Sequence, residues 1–332
     1  MKILVAGGSG VVGRRLVPLL VGKGHKVAAL TRSAAKAGSV HSLGAEPVIA
    51  DALEPSHVMR AIQRFQPDVI IHQLTAISHH LDLSRYDQEF AETNRLRTEG
   101  TDNLLAGARA AGVRRFIAQS FAGWPYAREG APVKKEGDRF DPSPPPAFRR
   151  TLDALRYLEA KVMGEKSMEG VILRYGAFYG PGTAFGKDGA LIEDIRQRRV
   201  PIIGGGEGIW SFIHIDDVAR ITLAAVEQGA PGIYNIVDDD PAPVSEWLPA
   251  LAAILGAPPP RHVPTWMARL LIGDAFILMT EARGASNAKA KKTFGEPLLW
   301  PSWREGFKNE FADSQPARDC QKPTIAMPSA AI

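Results

Sequence analysis

Residues 3–17 read ILVAGGSGVVGRRLV, and the reading of that stretch decides the fold. Ile3 to Ala6 form an unbroken apolar run, the pattern of a buried parallel strand. Val11, Val12, Leu16, Leu19 and Leu20 then recur at helical spacing, so a strand passes into a helix across Gly7, Gly10 and Gly13. Gly7 allows a tight turn, Gly10 lets the backbone approach a ligand with no Cβ in the way, and Gly13 lets helix and strand pack closely. The free amides of the helix N-terminus and the positive end of its dipole face whatever lies over the turn, which suits a pyrophosphate. The position of the glycines, between a leading strand and an amphipathic helix, makes this a dinucleotide fingerprint. Gly7, Gly10, Val11, Val12 and Gly13 are its candidate binding residues.

Outward from that turn, strand patterns alternate with helical ones. HKVAALTR ends at Arg32, EPVIAD at Asp51, PDVIIHQL at Leu74 and VRRFIAQS at Ser120. GVILRYGAFYGPG and GIYNIVDD supply two more strands later in the chain. Alternation at this pitch predicts an α/β fold, a Rossmann-type doubly wound parallel sheet with a smaller C-terminal substrate lobe. Residues 1–175 read as mainly the dinucleotide-binding domain. Residues 176–312 read as mainly the lobe, with some strands and helices returning to the sheet. Residues 313–332 lose periodicity and read as a disordered tail. Glu129 to Pro146, containing DPSPPP, is a proline-rich loop expected over the sheet edge or near the site.

Composition fits an ordinary globular protein: 332 residues, 45% hydrophobic and 23% charged. The net charge of +4 raises the question of nucleic acid, but Lys and Arg are dispersed in short pairs such as Arg114-Arg115 and Arg198-Arg199. They lack the aromatic interleaving of a single-strand binding face, so no nucleic-acid partner is expected. Cys320 is the single cysteine. With no disulfide framework, no apolar run of membrane length and no cleavage-site pattern, the expectation is a cytoplasmic protein without a membrane partner.

Cofactor choice is read at the end of the second strand. An acidic residue there holds the ribose hydroxyls of NAD, whereas a 2′-phosphate requires a cation. The strand ends Thr31-Arg32, with no acid, which favours NADP(H) over NAD(H). Arg14 or Arg15 offers a second charge. Asp51 and Ala52, closing the third strand, fall near the adenine.

With these residues in place, the chain resembles the extended short-chain dehydrogenase/reductases, the NAD-dependent epimerase/dehydratase group. The resemblance rests on GGSGVVG, DVIIHQLTA, ETNRLRTEGTDNLLAGARAAGVRRFI, LRYGAFYGPG, SFIHIDDVAR and SNAKAKKTFG, in that order, and runs to about Phe311. It implies that Leu74, Thr75 and Ala76 lie along the cofactor, that Asn94 is a helix-interrupting structural residue, and that the backbone after Arg174 passes near the nicotinamide. It also implies a homodimer and a small-molecule substrate.

The same resemblance implies a catalytic Tyr with a Lys four residues later, and a Ser or Thr at the end of the fifth strand. The Lys lowers the phenol pKa, and spacing of four puts both side chains on one helix face. Tyr157, Lys161 and Ser120 fit that description. A second register, aligning Glu159 with the Glu that commonly follows the family's Lys, puts Thr151 and Leu155 at the two positions instead. Tyr126, Tyr175, Tyr179, His79 and His80 are the alternative proton carriers. No His, Cys, Asp and Glu spacing matches a metal site, and the His214-Ile215-Asp216-Asp217 run belongs to the family's structural motif.

Trp210 and Ser211 stand where nucleotide-sugar enzymes commonly carry an Arg. With Phe178, Phe212, Trp266 and LLIGDAFILM nearby in sequence, they suggest an apolar pocket. The first expectation is therefore an NAD(P)-dependent oxidoreductase acting on a carbonyl or hydroxyl of a small metabolite. An epimerase or dehydratase of a nucleotide sugar is the alternative, and a non-catalytic dinucleotide sensor the third reading.

Overall fold

The computed structural model describes residues 1–77 and 82–312. His79, His80, Cys320 and the expected tail at 313–332 lie outside them. Seven parallel strands form the central sheet: β1 (Lys2–Ala6), β2 (Lys26–Thr31), β3 (Glu46–Ile49), β4 (Val69–His72), β5 (Arg115–Phe121), β6 (Glu169–Tyr175) and β7 (Gly232–Ile236). Their spatial order is 3-2-1-4-5-6-7. The order reverses between β1 and β4, which places a crevice at the carboxyl ends of those strands.

Both faces of the sheet are buried, as the near-continuous apolar strands require. Ile3, Val5, Val27, Ala29, Val69, Ile71 and Ile117 point to the side covered by helices α1 (Val11–Gly22) and α6 (Ile215–Glu227). Leu4, Ala6, Ala28, Leu30, Ile70, Phe116 and Ala118 point to the other side. That side is covered by α2 (Pro55–Phe65), α4 (Thr101–Ala110) and α5 (Pro146–Gly164). A short helix α3 (Ala91–Arg95) runs into α4 through a π-helical turn at Leu96–Gly100. Register places Ala6 beside both Leu30 and His72, and His72 beside Ala118, so the strand ends that carry candidate residues share one edge.

Beyond Tyr175, β7 and α6 pack into the central sheet and its layer, and a separate core cluster gathers residues from Tyr179 to Phe311. Beside that cluster, Ala177–Tyr179 pairs in parallel with Phe212–His214. The cluster is aromatic: Phe185, Phe212, Trp247, Trp303 and Phe307 pack together beneath α7 (Val244–Ile254) and α8 (Trp303–Glu310). The proline-rich loop crosses the carboxyl ends of β6 and β7. Its Glu136 accepts from the Asn235 amide through Oε1 (2.9 Å) and from Arg174 Nη1 through its carbonyl (3.3 Å). Pro146 closes the loop by opening α5, where the missing amide costs nothing. Among the described residues, no helix is long and apolar enough to cross a membrane.

Candidate active site

The glycine turn has the shape a dinucleotide needs. Gly7 adopts φ 97°, and a Cβ there would lie 2.7 Å from the carbonyl oxygen of Gln73. A Cβ on Gly13 would meet the Gly8 carbonyl oxygen at 2.4 Å, so only glycine permits this approach of helix to turn. Gly10 is the N-cap of α1 and makes no side-chain cap, and the first turn holds no acidic residue, which leaves the helix terminus positive. Val12 packs in the core and Val11 is half-buried. Sequence reasoning missed Gly8, whose Cβ would collide with Ala29 Cβ at 2.4 Å. The signal was the small Ala28-Ala29 pair in the neighbouring strand.

The rim of the crevice is made by strand ends. Arg32 is exposed and forms an ion pair with Glu92. The Thr31 hydroxyl oxygen accepts from the Ser33 amide at 3.4 Å, Asp51 accepts from the Leu53 amide at 2.9 Å, and the Ala52 carbonyl accepts from Asn103 at 2.9 Å. After β4, the Leu74 amide donates to His72 Nδ1 and the Ala76 amide to the Thr93 hydroxyl, with Thr75 exposed between them. Asn94 donates to the Thr151 hydroxyl at 3.0 Å and lies just before the π-helical turn that interrupts the helix.

The three expected catalytic residues do not converge, and α5 explains why. Its buried face carries Thr151, Leu152, Leu155, Leu158, Glu159 and Val162. Residues two apart do not share a helix face, so Tyr157 and Lys161, which flank Glu159 at that distance, point away from it. Tyr157 donates to Asp102 of α4 at 2.5 Å, and Lys161 lies 3.7 Å from the same carboxylate. That hydrogen bond holds the phenol above its ordinary pKa, opposite to an activated acid–base group. Ser120 is 1% exposed and donates to Glu159 at 2.6 Å on the inward face. Tyr157 and Lys161 thus meet at Asp102 while Ser120 meets Glu159, so the expected Tyr157–Lys161–Ser120 set is not brought together in this structure.

Glu159 in turn belongs to a buried polar chain. Arg174 grips it through Nε at 2.8 Å and Nη2 at 2.5 Å, and also donates to the Tyr126 hydroxyl. Tyr126 donates to Asn235 at 2.6 Å. Burial acts to lower the pKa of Arg174, but the Glu159 carboxylate overrides it and holds the guanidinium charged. Tyr126 is fully buried, and burial raises its phenol pKa. Tyr175 bonds Gln73 and Thr222 within the sheet core, and the Tyr179 hydroxyl is buried under Gly306. These alternatives are thus core groups. His214 caps α6 by accepting from the Asp216 amide, and no cluster with metal-ligand character occurs among the described residues.

An apolar cavity of about 60 Å³ opens where β5 ends, lined by Phe121, Trp124, Ala177, Trp210, Ser211 and Leu278 among others. Its one hydroxyl, on Ser211, is engaged by the Ala285 backbone. Of the aromatics singled out in the sequence, Trp210 lines it. Phe212 is core, Phe178 packs against the α1–α6 layer, and Trp266 is 65% exposed.

A family model described as the NAD dependent epimerase/dehydratase family matches residues 3–237. The chain is 42% identical over 314 residues to a 3-diazoavenalumate denitrifying reductase of a Streptomyces species, covering 93% of this chain and 100% of that protein. It is 30% identical over 274 residues to a 2-alkyl-3-oxoalkanoate reductase of Stenotrophomonas maltophilia, covering 78% and 77% of the two chains. Among solved structures, a UDP-glucose 4-epimerase of Thermotoga maritima superposes with a TM-score of 0.73 at 23% identity, over 94% of this chain and 98% of that one.

Proposed function

The chain belongs to the NAD dependent epimerase/dehydratase family, and from that premise we propose a cytosolic reductase that uses a dissociable nicotinamide dinucleotide, NADPH in preference to NADH. Gly7, Gly10 and the N-terminus of α1 would hold the pyrophosphate, and Arg32 would leave Glu92 for the 2′-phosphate. An exposed ion pair of this kind is weak enough to exchange. When bound, the reduced nicotinamide supplies a hydride to the substrate.

One observation carries the reaction class: the inward face of α5 presents Thr151, Leu155 and a committed Glu159, with no phenol–lysine pair. Carbonyl reduction ends with a proton on oxygen and calls for such an acid. Reductive loss of nitrogen does not. An arenediazonium and a hydride give an arene and dinitrogen; the C–N bond breaks, a C–H bond forms, and no oxygen acquires charge. Trp124, Trp210 and Phe121 would stack on the aromatic ring and exclude water. The 42% relative, named for a diazo substrate, favours this reading over reduction of a 3-oxo acid.

The test uses diazotised 4-aminobenzoate and 4-deuterated NADPH, with an enzyme-free control. Enzyme-dependent dinitrogen release, equal to NADPH consumed and with deuterium in the benzoate ring, is expected. Turnover of a 3-oxo acid to its hydroxy acid, with no rate above control on the diazonium, would replace the reading by a ketoreductase. Arg32→Ala should weaken NADPH binding about tenfold, or ~1.4 kcal/mol, and leave NADH within twofold.

A further inference from the structure

Arg97 is 6% exposed, within the π-helical turn at Leu96–Gly100. Its Nη1 atom is buried with no hydrogen-bond partner, and no ion pair reaches its guanidinium among the described residues. Among the described residues, the titratable groups close enough to influence it are Tyr86 and His72. Neither supplies negative charge. Burial raises the Tyr86 phenol pKa, and burial lowers His72 to about 4, so both are neutral at physiological pH. Burial also brings Arg97 down, to about 10, which still leaves it charged. An arginine left so costs several kcal/mol unless something pairs it.

The backbone that carries this cation is anchored. The Leu74 amide donates to His72 Nδ1, which leaves the His72 Nε2 proton facing the Thr101 hydroxyl at 3.2 Å. Thr101 donates to the Arg97 carbonyl at 2.7 Å, tying the π-helical turn to the carboxyl end of β4. That end of β4 borders the crevice at the switch point of the sheet. The same turn packs against α5, where Leu96 shares an apolar cluster with Leu158 and Val162. One turn earlier, Asn94 Oδ1 is a second buried atom without a partner. Helices with a π-helical turn at such a place commonly serve a site.

We propose that Arg97 is a ligand-binding residue, a buried cation held in place for an acidic oxygen that arrives with the bound molecule. The oxygen is a phosphate of the dinucleotide or a carboxylate of the substrate. The inference rests on the reading of this crevice as the reductase site, but its test is binding and not turnover.

Arg97→Met, Arg97→Lys and the parent protein are titrated with NADPH, NADH, benzoate and benzamide, and melting temperatures of the free proteins are recorded. Arg97→Met should bind either a dinucleotide or benzoate at least tenfold more weakly, and Arg97→Lys should recover part of the loss. A loss confined to the dinucleotides assigns the phosphate; a loss confined to benzoate, with benzamide binding unchanged, assigns the carboxylate. Removal of an unpaired buried charge should also leave the free Arg97→Met protein as stable as the parent or more so. Affinities for all four probes within threefold of the parent would overturn the proposal. If Arg97→Met does not fold, Arg97→Gln is judged on the same affinities. Failure of the diazonium assay with these affinities altered would condemn the reaction and spare the site.

Discussion

The two faces of α5 carry comparable chemistry and put it to opposite uses. Inward, Glu159 is held by Arg174 and Ser120, with both partners of the ion pair less than a tenth exposed. Outward, Tyr157 and Lys161 share Asp102, and the Lys161 and Asp102 side chains are 49% and 44% exposed. The outward pair has the spacing of a catalytic motif and the inward group does not. What separates them is phase: Leu152, Leu155, Leu158 and Val162 define the buried stripe, Glu159 falls on it, and Tyr157 and Lys161 fall off it. A motif on a helix therefore has to be read together with the apolar stripe beside it.

The comparison is tested hardest at Glu159. Glu159→Ala leaves the Arg174 guanidinium buried and unpaired, and breaking a buried pair from one side costs roughly 3–5 kcal/mol. Denaturant titration should show that loss, with Glu159→Gln milder because it keeps an acceptor for Ser120. A loss under about 1 kcal/mol, the level of an exposed pair, would mean that the two faces do not differ.

This contrast also marks how much was legible in the sequence. The order of strands and helices and the glycine turn could be read because their signals are local: apolar period, glycine spacing, strand ends. The inward stripe of α5 was legible too, since Leu152, Leu155, Leu158 and Val162 announce it. The partners were not. That Ser120 meets Glu159, or that Arg174 turns from the strand to the helix, depends on sheet register and helix rotation, which join residues 39 and 15 positions apart. Arg97 gave no signal at all, because a charged residue inside a polar helical run reads as solvated.

The buried side can be probed further through protons. His72 lies inward at the end of β4, and burial depresses its pKa from 6.5 to about 4. Below pH 6.5 the unfolded chain takes up a proton that the native protein refuses until about pH 4. Stability present at neutral pH is thus lost progressively as pH falls through that window, by ~3 kcal/mol in all. Urea midpoints at pH 7, 5.5 and 4.5 should fall more steeply for the parent than for His72→Asn. Equal slopes would show that His72 is solvated and that the inward side of the sheet is not the dry environment described.

The smallest effect is expected on the outward face. Tyr157→Phe and Lys161→Met should leave kcat/KM for NADPH-dependent reduction within twofold and stability within about 0.5 kcal/mol, as for surface changes that touch no buried group. The argument is geometric. At about 100° per residue, Tyr157 and Glu159 differ by about 200° around α5. For Tyr157 to reach the crevice the helix would have to turn by that angle, exposing Leu152, Leu155 and Leu158 and drawing Glu159 from Arg174. A hundredfold fall in kcat/KM for either variant, with dinucleotide affinity unchanged, would therefore mean that α5 adopts another rotation in the working enzyme.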